Sequence, residues 1–276
     1  MIINGNIITS RNNETVKWAS SLQTKKGRDA SRAFIAEGEK LSFEAIEAGL
    51  SVSHIFLLES KQDKIMPRLR ALLTDDKYSD TEIITLSEGA FSKISTENAP
   101  QGIISVIKYL DFFKVVDIIY KEEFFEKPNE RAIILSSIRD PGNLGAVIRS
   151  ATAFGVDHII LTADSADLYN PKTVRSAMGS LFRVKATVVT DMRSTIEMLV
   201  QNGVRVFSAE LDENAASISE IGLSARDIVV IGNEGHGVDP ELSRACTRSV
   251  YIPISKKTES LNAAVAAAIF MWEMSK

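Results

Sequence analysis

The sequence predicts an α/β protein in two halves, each with its own layer of strands and helices. Three observations carry that expectation. Short apolar runs of strand length, such as VSHIFLL and AIIL, alternate with longer segments of helical periodicity. An acidic stretch with two phenylalanine pairs, residues 109–130, divides the chain. Beyond it, strands stop in loops of glycine and small polar residues, where open α/β sheets bind ligands.

In the first half, Asn12–Leu22 reads as a helix after the candidate cap Ser10, with Val16, Ala19 and Leu22 on one side. Ala33–Ala36 is a short strand, and Glu39–Ala48 a helix closed by Gly49. Val52–Leu58 is a strand, Lys64–Leu73 a helix and Glu82–Leu86 a strand. Ser87 can cap a helix through Ile94, and Ile103–Ile107 closes the series as a continuous apolar strand, the mark of one buried on both faces. The connector 109–130 reads as partly helical, with Phe112-Phe113 and Phe124-Phe125 docking on a neighbour. From Arg131 the expected order is strand Ala132–Leu135, helix Gly145–Phe154, strand His158–Leu161 and a helix opening at Lys172–Ser176. Strand Val184–Val189, helix Thr195–Gln201 and strand Arg205–Ala209 follow. Two further strands, beginning at Ile228 and Val250, run into polar loops, and Ala263–Met274 forms a last helix that is apolar almost all round.

Composition narrows the class. At 45% hydrophobic and 25% charged residues in 276, the chain is an ordinary globular protein with room for two domains. No apolar run is long enough to span a bilayer, and the N-terminus lacks signal-peptide character, so a cytoplasmic protein is expected. The single cysteine, Cys246, rules out an internal disulfide and reads as a half-buried small hydrophobe. No His/Asp/Glu cluster has ligand spacing, so no metal is expected. A net charge of −4 argues against a general nucleic-acid binder but not against a local basic surface. Such a surface exists between Thr9 and Arg32, where Arg11, Lys17, Lys25, Lys26, Arg28 and Arg32 face only Glu14 and Asp29.

The candidate chemistry lies in three stretches. DPGNLGAVIRSATAFG begins at Asp140, where Gly142 and Gly145 permit close backbone approach and Arg149 follows on the helix. It is neither a Walker A loop nor a G-x-G-x-x-G fingerprint. IGNEGHGV follows the strand at Ile228, and IPISKKTESLNAAVAAAI follows the strand at Val250. Taken alone, Asn143 and Asp140 read as turn formers, His236 as a satisfied loop residue, and His54 and His158 as structural.

In that order and spacing the three stretches resemble the motifs of the SpoU/TrmH family of the SPOUT superfamily. These are S-adenosylmethionine-dependent RNA ribose 2′-O-methyltransferases. VRSAMGSLFRV, from Val174, is similar to the family's segment between the first two motifs, so the likeness spans 131–276. FIAEGEKLSFEAIEAG, from Phe34, is similar to the L30e-like RNA substrate-binding domain of many members, placing that domain at 1–108 and a linker at 109–130. The resemblance implies a trefoil-knotted C-terminal domain with a mostly parallel sheet, and a homodimer built through that domain, with the last helix in its core.

It also implies roles. Asn143, Arg149, Glu234, Ser260 and Asn262 match the polar residues around the methyl-transfer site, and Gly232, Asn233, Gly235, Ile252 and Leu261 the cofactor contacts. A guanidinium stays protonated, so Arg149 is expected to hold phosphate and stabilise developing alkoxide rather than act as a base. Ser255-Lys256-Lys257 stands where members commonly carry glycine; Lys256 and Lys257 are candidates for RNA phosphate, with Arg11, Lys25, Lys26, Arg28 and Arg32 on the first domain. Ribosomal RNA is the expected substrate ahead of transfer RNA. A non-catalytic RNA- or ribosome-binding protein that kept the fold is the alternative.

Overall fold

A computed structural model describes residues 1–124, 130–212, 214–233 and 235–276 of the chain. These form two compact units, Met1–Leu110 with Asp167–Phe182, and Asp111–Ala166 with Arg183–Lys276.

The first unit opens with β1 (Ile2–Ile8), α1 (Glu14–Ser21), α2 (Lys25–Ser31), β2 (Ala33–Glu37) and α3 (Glu39–Glu47). It continues through β3 (Val52–Leu58), α4 (Gln62–Leu72), β4 (Glu82–Leu86), α5 (Glu88–Ile94) and β5 (Ile103–Lys108). Among the described residues its sheet has the order β1-β4-β3-β5-β2. The β1–β4 and β3–β4 pairs are parallel, whereas β5 runs antiparallel to β2 and β3. The expected stripe on α1 is real: Val16, Ala19 and Leu22 are fully buried and join Phe56, Phe91 and Ile104 in one core. Its cap is Asn13 rather than Ser10. The Asn13 carboxamide accepts from the Thr15 and Val16 amides, while the Ser10 hydroxyl accepts from the Asn12 amide in the turn before it. Gly49, at φ +74°, takes the left-handed position that follows α3.

Strand β1 and helix α2 were not expected. IINGNII interrupts its isoleucines with Asn-Gly-Asn and stays exposed, so only backbone pairing to β4 makes it a strand. KKGRDAS has no apolar face; α2 is capped by Thr24 and anchored through Arg28.

The chain then passes through β6 (Phe113–Val116), α6 (Lys121–Phe124), β7 (Ala132–Leu135), α7 (Pro141–Ala153) and β8 (His158–Thr162). It returns to the first unit as α8 (Pro171–Ala177) and a turn of 3-10 helix at Met178–Phe182, which pack with β2 and α3. The remainder comprises β9 (Lys185–Val189), α9 (Met192–Gln201), β10 (Val206–Ala209), β11 (Ala216–Ser217), α10 (Ile218–Ile221), β12 (Ile228–Ile231), α11 (Pro240–Ala245), β13 (Arg248–Tyr251) and α12 (Ala263–Ser275). Among the described residues the second sheet runs β11-β13-β10-β12-β7-β8-β9-β6, every pair parallel. Its central strands β7 and β12 are buried along their whole length, which is why each reads as an unbroken apolar run.

Two expectations need correction here. The connector contributes a strand, β6, which pairs with β9; its buried anchor is Ile119, while Phe112 and Phe113 pack edge to face and are only half-buried. Phe125 lies outside the described residues, as does the side chain of Phe124. Helix α7 starts at Pro141, not Gly145: the Asp140 carboxylate accepts from the Asn143 amide at 2.9 Å and proline fills the first helical position. Asp140 is therefore a helix cap and Asn143 sits in a first helical turn. Helix α12 leaves Val265 and Trp272 each about half exposed in the single chain.

Candidate active site

Register decides where the three motifs meet. Leu135 of β7 lies beside Ile231 of β12, and Ala209 of β10 pairs with both Ile231 and Val250 of β13. The strands end in step, so the loops after β7, β12 and β13 all open at the carboxyl edge of the sheet.

The loop after β12 is built on a close approach. A Cβ on Gly232 would lie 2.1 Å from the carbonyl carbon of Gly237, so no other residue fits without moving backbone. Asn233 and Gly237 exchange both backbone hydrogen bonds at 2.9 Å, and Gly237 adopts φ +71° to close the turn. The Asn233 side chain donates to the Ser137 carbonyl at 2.8 Å and accepts from the Gly235 amide at 2.9 Å. Gly235 and His236 are exposed, and among the described residues His236 has no hydrogen-bond partner. Glu234 lies outside the described residues. We expect Gly232→Ala to destabilise the second unit by on the order of 1–3 kcal/mol, the usual cost of overpacking. Denaturant unfolding checks this, and a wild-type midpoint would refute the close approach.

The first and third motifs touch directly. Asn262 caps α12, its carboxamide oxygen accepting from the Ala264 and Val265 amides at 2.9 and 3.3 Å. Its nitrogen donates to the Asn143 side-chain oxygen at 3.0 Å, joining positions 119 residues apart. Arg149, two turns along α7 from its cap, is exposed and has no hydrogen-bond or ion-pair partner among the described residues. Ser260 is exposed, its carbonyl accepting from the Thr258 hydroxyl, and Ile252 and Leu261 are half-buried. Lys256 and Lys257 occupy an exposed turn closed by the Thr258 amide on the Ser255 carbonyl.

Sequence reasoning missed the support beneath this edge. Ser137 adopts φ +56°, and its amide donates to the Thr162 hydroxyl at 2.8 Å. The hydroxyls of Ser137 and Thr162 each donate to Asp164 at 2.7 Å. Burial opposes ionisation of Asp164, but those hydroxyls and the Arg139 guanidinium outweigh it and hold the carboxyl below the usual carboxylate range. No motif marks these residues; only a serine at positive φ betrays them.

Among the basic residues, Arg11, Lys25, Lys26 and Arg32 are exposed, Lys25 pairing with Asp29 and Arg32 lying over the Tyr109 ring. Arg28 does not belong with them. It is 2% exposed, and its guanidinium donates to the Leu22 and Gln23 carbonyls and to Asp167 at 2.5 Å. The partner comes from the 167–182 segment, which the sequence could not assign to this unit.

The remaining candidates are structural. His158 is buried with its Nε2 2.8 Å from the Thr187 hydroxyl. His54 packs on Trp18; burial pushes its pKa down while Glu82 pulls it back up. Cys246 is half-buried, its thiol pushed up to about 12 by burial and by the charge of Glu210. Among the described residues no group of three or more His, Cys, Asp or Glu is placed to hold a metal ion. No helix among them is long and apolar enough to cross a membrane.

Comparison with known proteins matches this architecture. The profile of the SpoU rRNA Methylase family fits residues 130–272, and that of the MRM3-like substrate binding domain fits residues 13–105. The 23S rRNA (guanosine(2553)-2′-O)-methyltransferase RlmP of Bacillus subtilis is 33% identical over 267 residues, covering 97% of this chain and 98% of its own. The 23S rRNA (uridine(2479)-2′-O)-methyltransferase of Streptomyces viridochromogenes is 28% identical over 96% of this chain and 90% of its own. Among solved structures, an AdoMet-bound rRNA methyltransferase from Sinorhizobium meliloti superposes with a TM-score of 0.80, at 27% identity over 99% of this chain and 97% of that one.

Proposed function

Because the chain belongs to the SpoU rRNA methylase family, we propose that it methylates a ribose 2′-hydroxyl of RNA, ribosomal RNA ahead of transfer RNA, with S-adenosylmethionine as donor. The observation that carries the reading is the Asn143–Asn262 hydrogen bond, which joins the first and third motifs at the edge where the Gly232 loop opens. A loop of small residues with its backbone held open suits a purine and an amino-acid moiety, which need amides and close approach more than charge. Gly232, Asn233, Gly235, Ile252 and Leu261 would hold the cofactor; bound there, it supplies the electrophilic methyl group.

The chain's own residues orient and stabilise. Asn143 and Asn262 fix the ribose through carboxamides that already restrain each other, supplying orientation. Arg149, exposed and without a partner among the described residues, offers its guanidinium to the neighbouring phosphate and to negative charge growing on the 2′-oxygen. Ser260 and Glu234 complete the polar set in this reading. Lys256 and Lys257 face RNA phosphate, and the first unit presents Arg11, Lys25, Lys26 and Arg32 to the RNA. A homodimer through the second unit belongs to the same reading, supported by an apolar groove of about 590 Å³ between α7 and α12 that includes Phe154, Val265 and Trp272. So does trefoil threading of the C-terminal part, supported by β12 lying between β10 and β7 while β13 lies beyond β10.

Titration calorimetry with S-adenosylmethionine tests the proposal. Saturable binding is expected. No heat at millimolar cofactor, with RNA binding intact, would turn the reading to a non-catalytic RNA-binding protein.

A further inference from the structure

Ser137 is the first residue after β7 to leave the ladder: the Ser136 amide still donates to the Ile231 carbonyl at 2.8 Å. At Ser137 the backbone turns to φ +56°, a conformation that residues with a Cβ seldom adopt unaided. Two side chains from the end of β8 hold it there. The Thr162 hydroxyl accepts from the Ser137 amide and donates to one Asp164 oxygen, and the Ser137 hydroxyl donates to the other Asp164 oxygen. The carbonyl so oriented accepts the Asn233 side chain, whose oxygen in turn accepts the Gly235 amide.

We infer that Asp164 is a positioning residue for the loop after β12. By gripping the Ser137 hydroxyl it keeps Ser137 left-handed and its carbonyl aimed at Asn233. The consequence for catalysis rests on the proposal that this loop holds the cofactor; the mechanical part does not. Asp164 touches neither cofactor nor RNA in this scheme. It acts through one backbone torsion, and a glycine at position 137 would reach that torsion without help.

That last point supplies the test. Hydrogen exchange at the Asn233 and Gly237 amides is measured on the full chain without cofactor, with Ile160 and Ala186 in the core strands as internal reference. Asp164→Ala and Ser137→Ala are expected to exchange about tenfold faster at these two positions, through local rather than global opening. Ser137→Gly, and Ser137→Gly combined with Asp164→Ala, are expected to stay near wild type. Wild-type exchange in Asp164→Ala, or exchange in Ser137→Gly as fast as in Ser137→Ala, overturns the proposal. Should Asp164→Ala fail to fold, the alanine–glycine contrast at Ser137 decides alone. Calorimetry on the same proteins separates the two readings: Asp164→Ala should bind S-adenosylmethionine about tenfold more weakly and recover with Ser137→Gly, a difference of about 1.4 kcal/mol. Equal affinity in Asp164→Ala and wild type removes the link to the cofactor. Absent binding by the wild type removes the functional reading, while the exchange pattern still decides what Asp164 does.

Discussion

Arg149→Ala and Asn143→Ala proteins are expected to bind S-adenosylmethionine almost as wild type does and to transfer methyl groups roughly 10²–10³-fold more slowly. The expectation follows from what each side chain contacts. Arg149 is exposed and unpaired among the described residues, so its removal leaves no buried group stranded and the fold intact. In the proposed mechanism its contribution is a charge presented to RNA and to the forming alkoxide. Arg149→Lys keeps the charge but not the planar fork and should fall between. Asn143 bonds Asn262 in a partly solvated setting, and Asn262 retains its cap on α12 when that bond is lost. The cost of Asn143→Ala should therefore appear in the transfer rate and not in unfolding. Single-turnover methyl transfer to RNA, paired with calorimetry, reads both; full activity in both variants would end the assignment.

The second large effect is expected at Arg28. Arg28→Ala should destabilise the first unit by about 3 kcal/mol, the lower end for breaking a buried pair, because Asp167 keeps some contact with water. The guanidinium serves three acceptors on two segments, so Arg28→Lys should recover only part of the loss. Lys25→Glu with Lys26→Glu should behave in the opposite way. Both lysines are exposed, and the Lys25–Asp29 pair on the helix surface contributes little to folding. Stability should hardly change, while RNA binding weakens and its slope against log salt falls by about one to two. Equal unfolding midpoints for Arg28→Ala and the double lysine variant would contradict the burial argument. An unchanged salt slope would remove these lysines from the RNA surface.

These two residue sets show where reading a sequence succeeds and fails. Strands Val52–Leu58, Glu82–Leu86 and Ala132–Leu135 were legible to the residue, because each carries a short run of buried apolar residues of strand length bounded by polar neighbours, and Ala132–Leu135 is apolar and buried throughout. The three motifs were legible because glycine, asparagine and proline at set offsets reflect local backbone needs, as Gly232 and Pro141 illustrate. Strand β1 and helix α2 were not, since neither carries a periodic apolar face and each exists through a distant partner. Arg28 looked like one more cation in a basic run; its burial depends on Asp167, 139 positions away.

The amino-acid sequence by itself determined the α/β class, the family, the loops at which the motifs fall and the residue types offered for chemistry. The class, the loops and the residue types follow from local periodicity and local turn chemistry, and the family from the resemblance of three motifs in order and spacing. Tertiary structure alone decided that residues 167–182 pack with the first unit, that Arg28 is a buried clamp, and that Asn143 meets Asn262. It alone revealed Asp164 and Ser137 beneath the loop after β12. The reason is physical: a side chain's charge and shape are written in the chain, but its desolvation and partners depend on segments brought together only by folding.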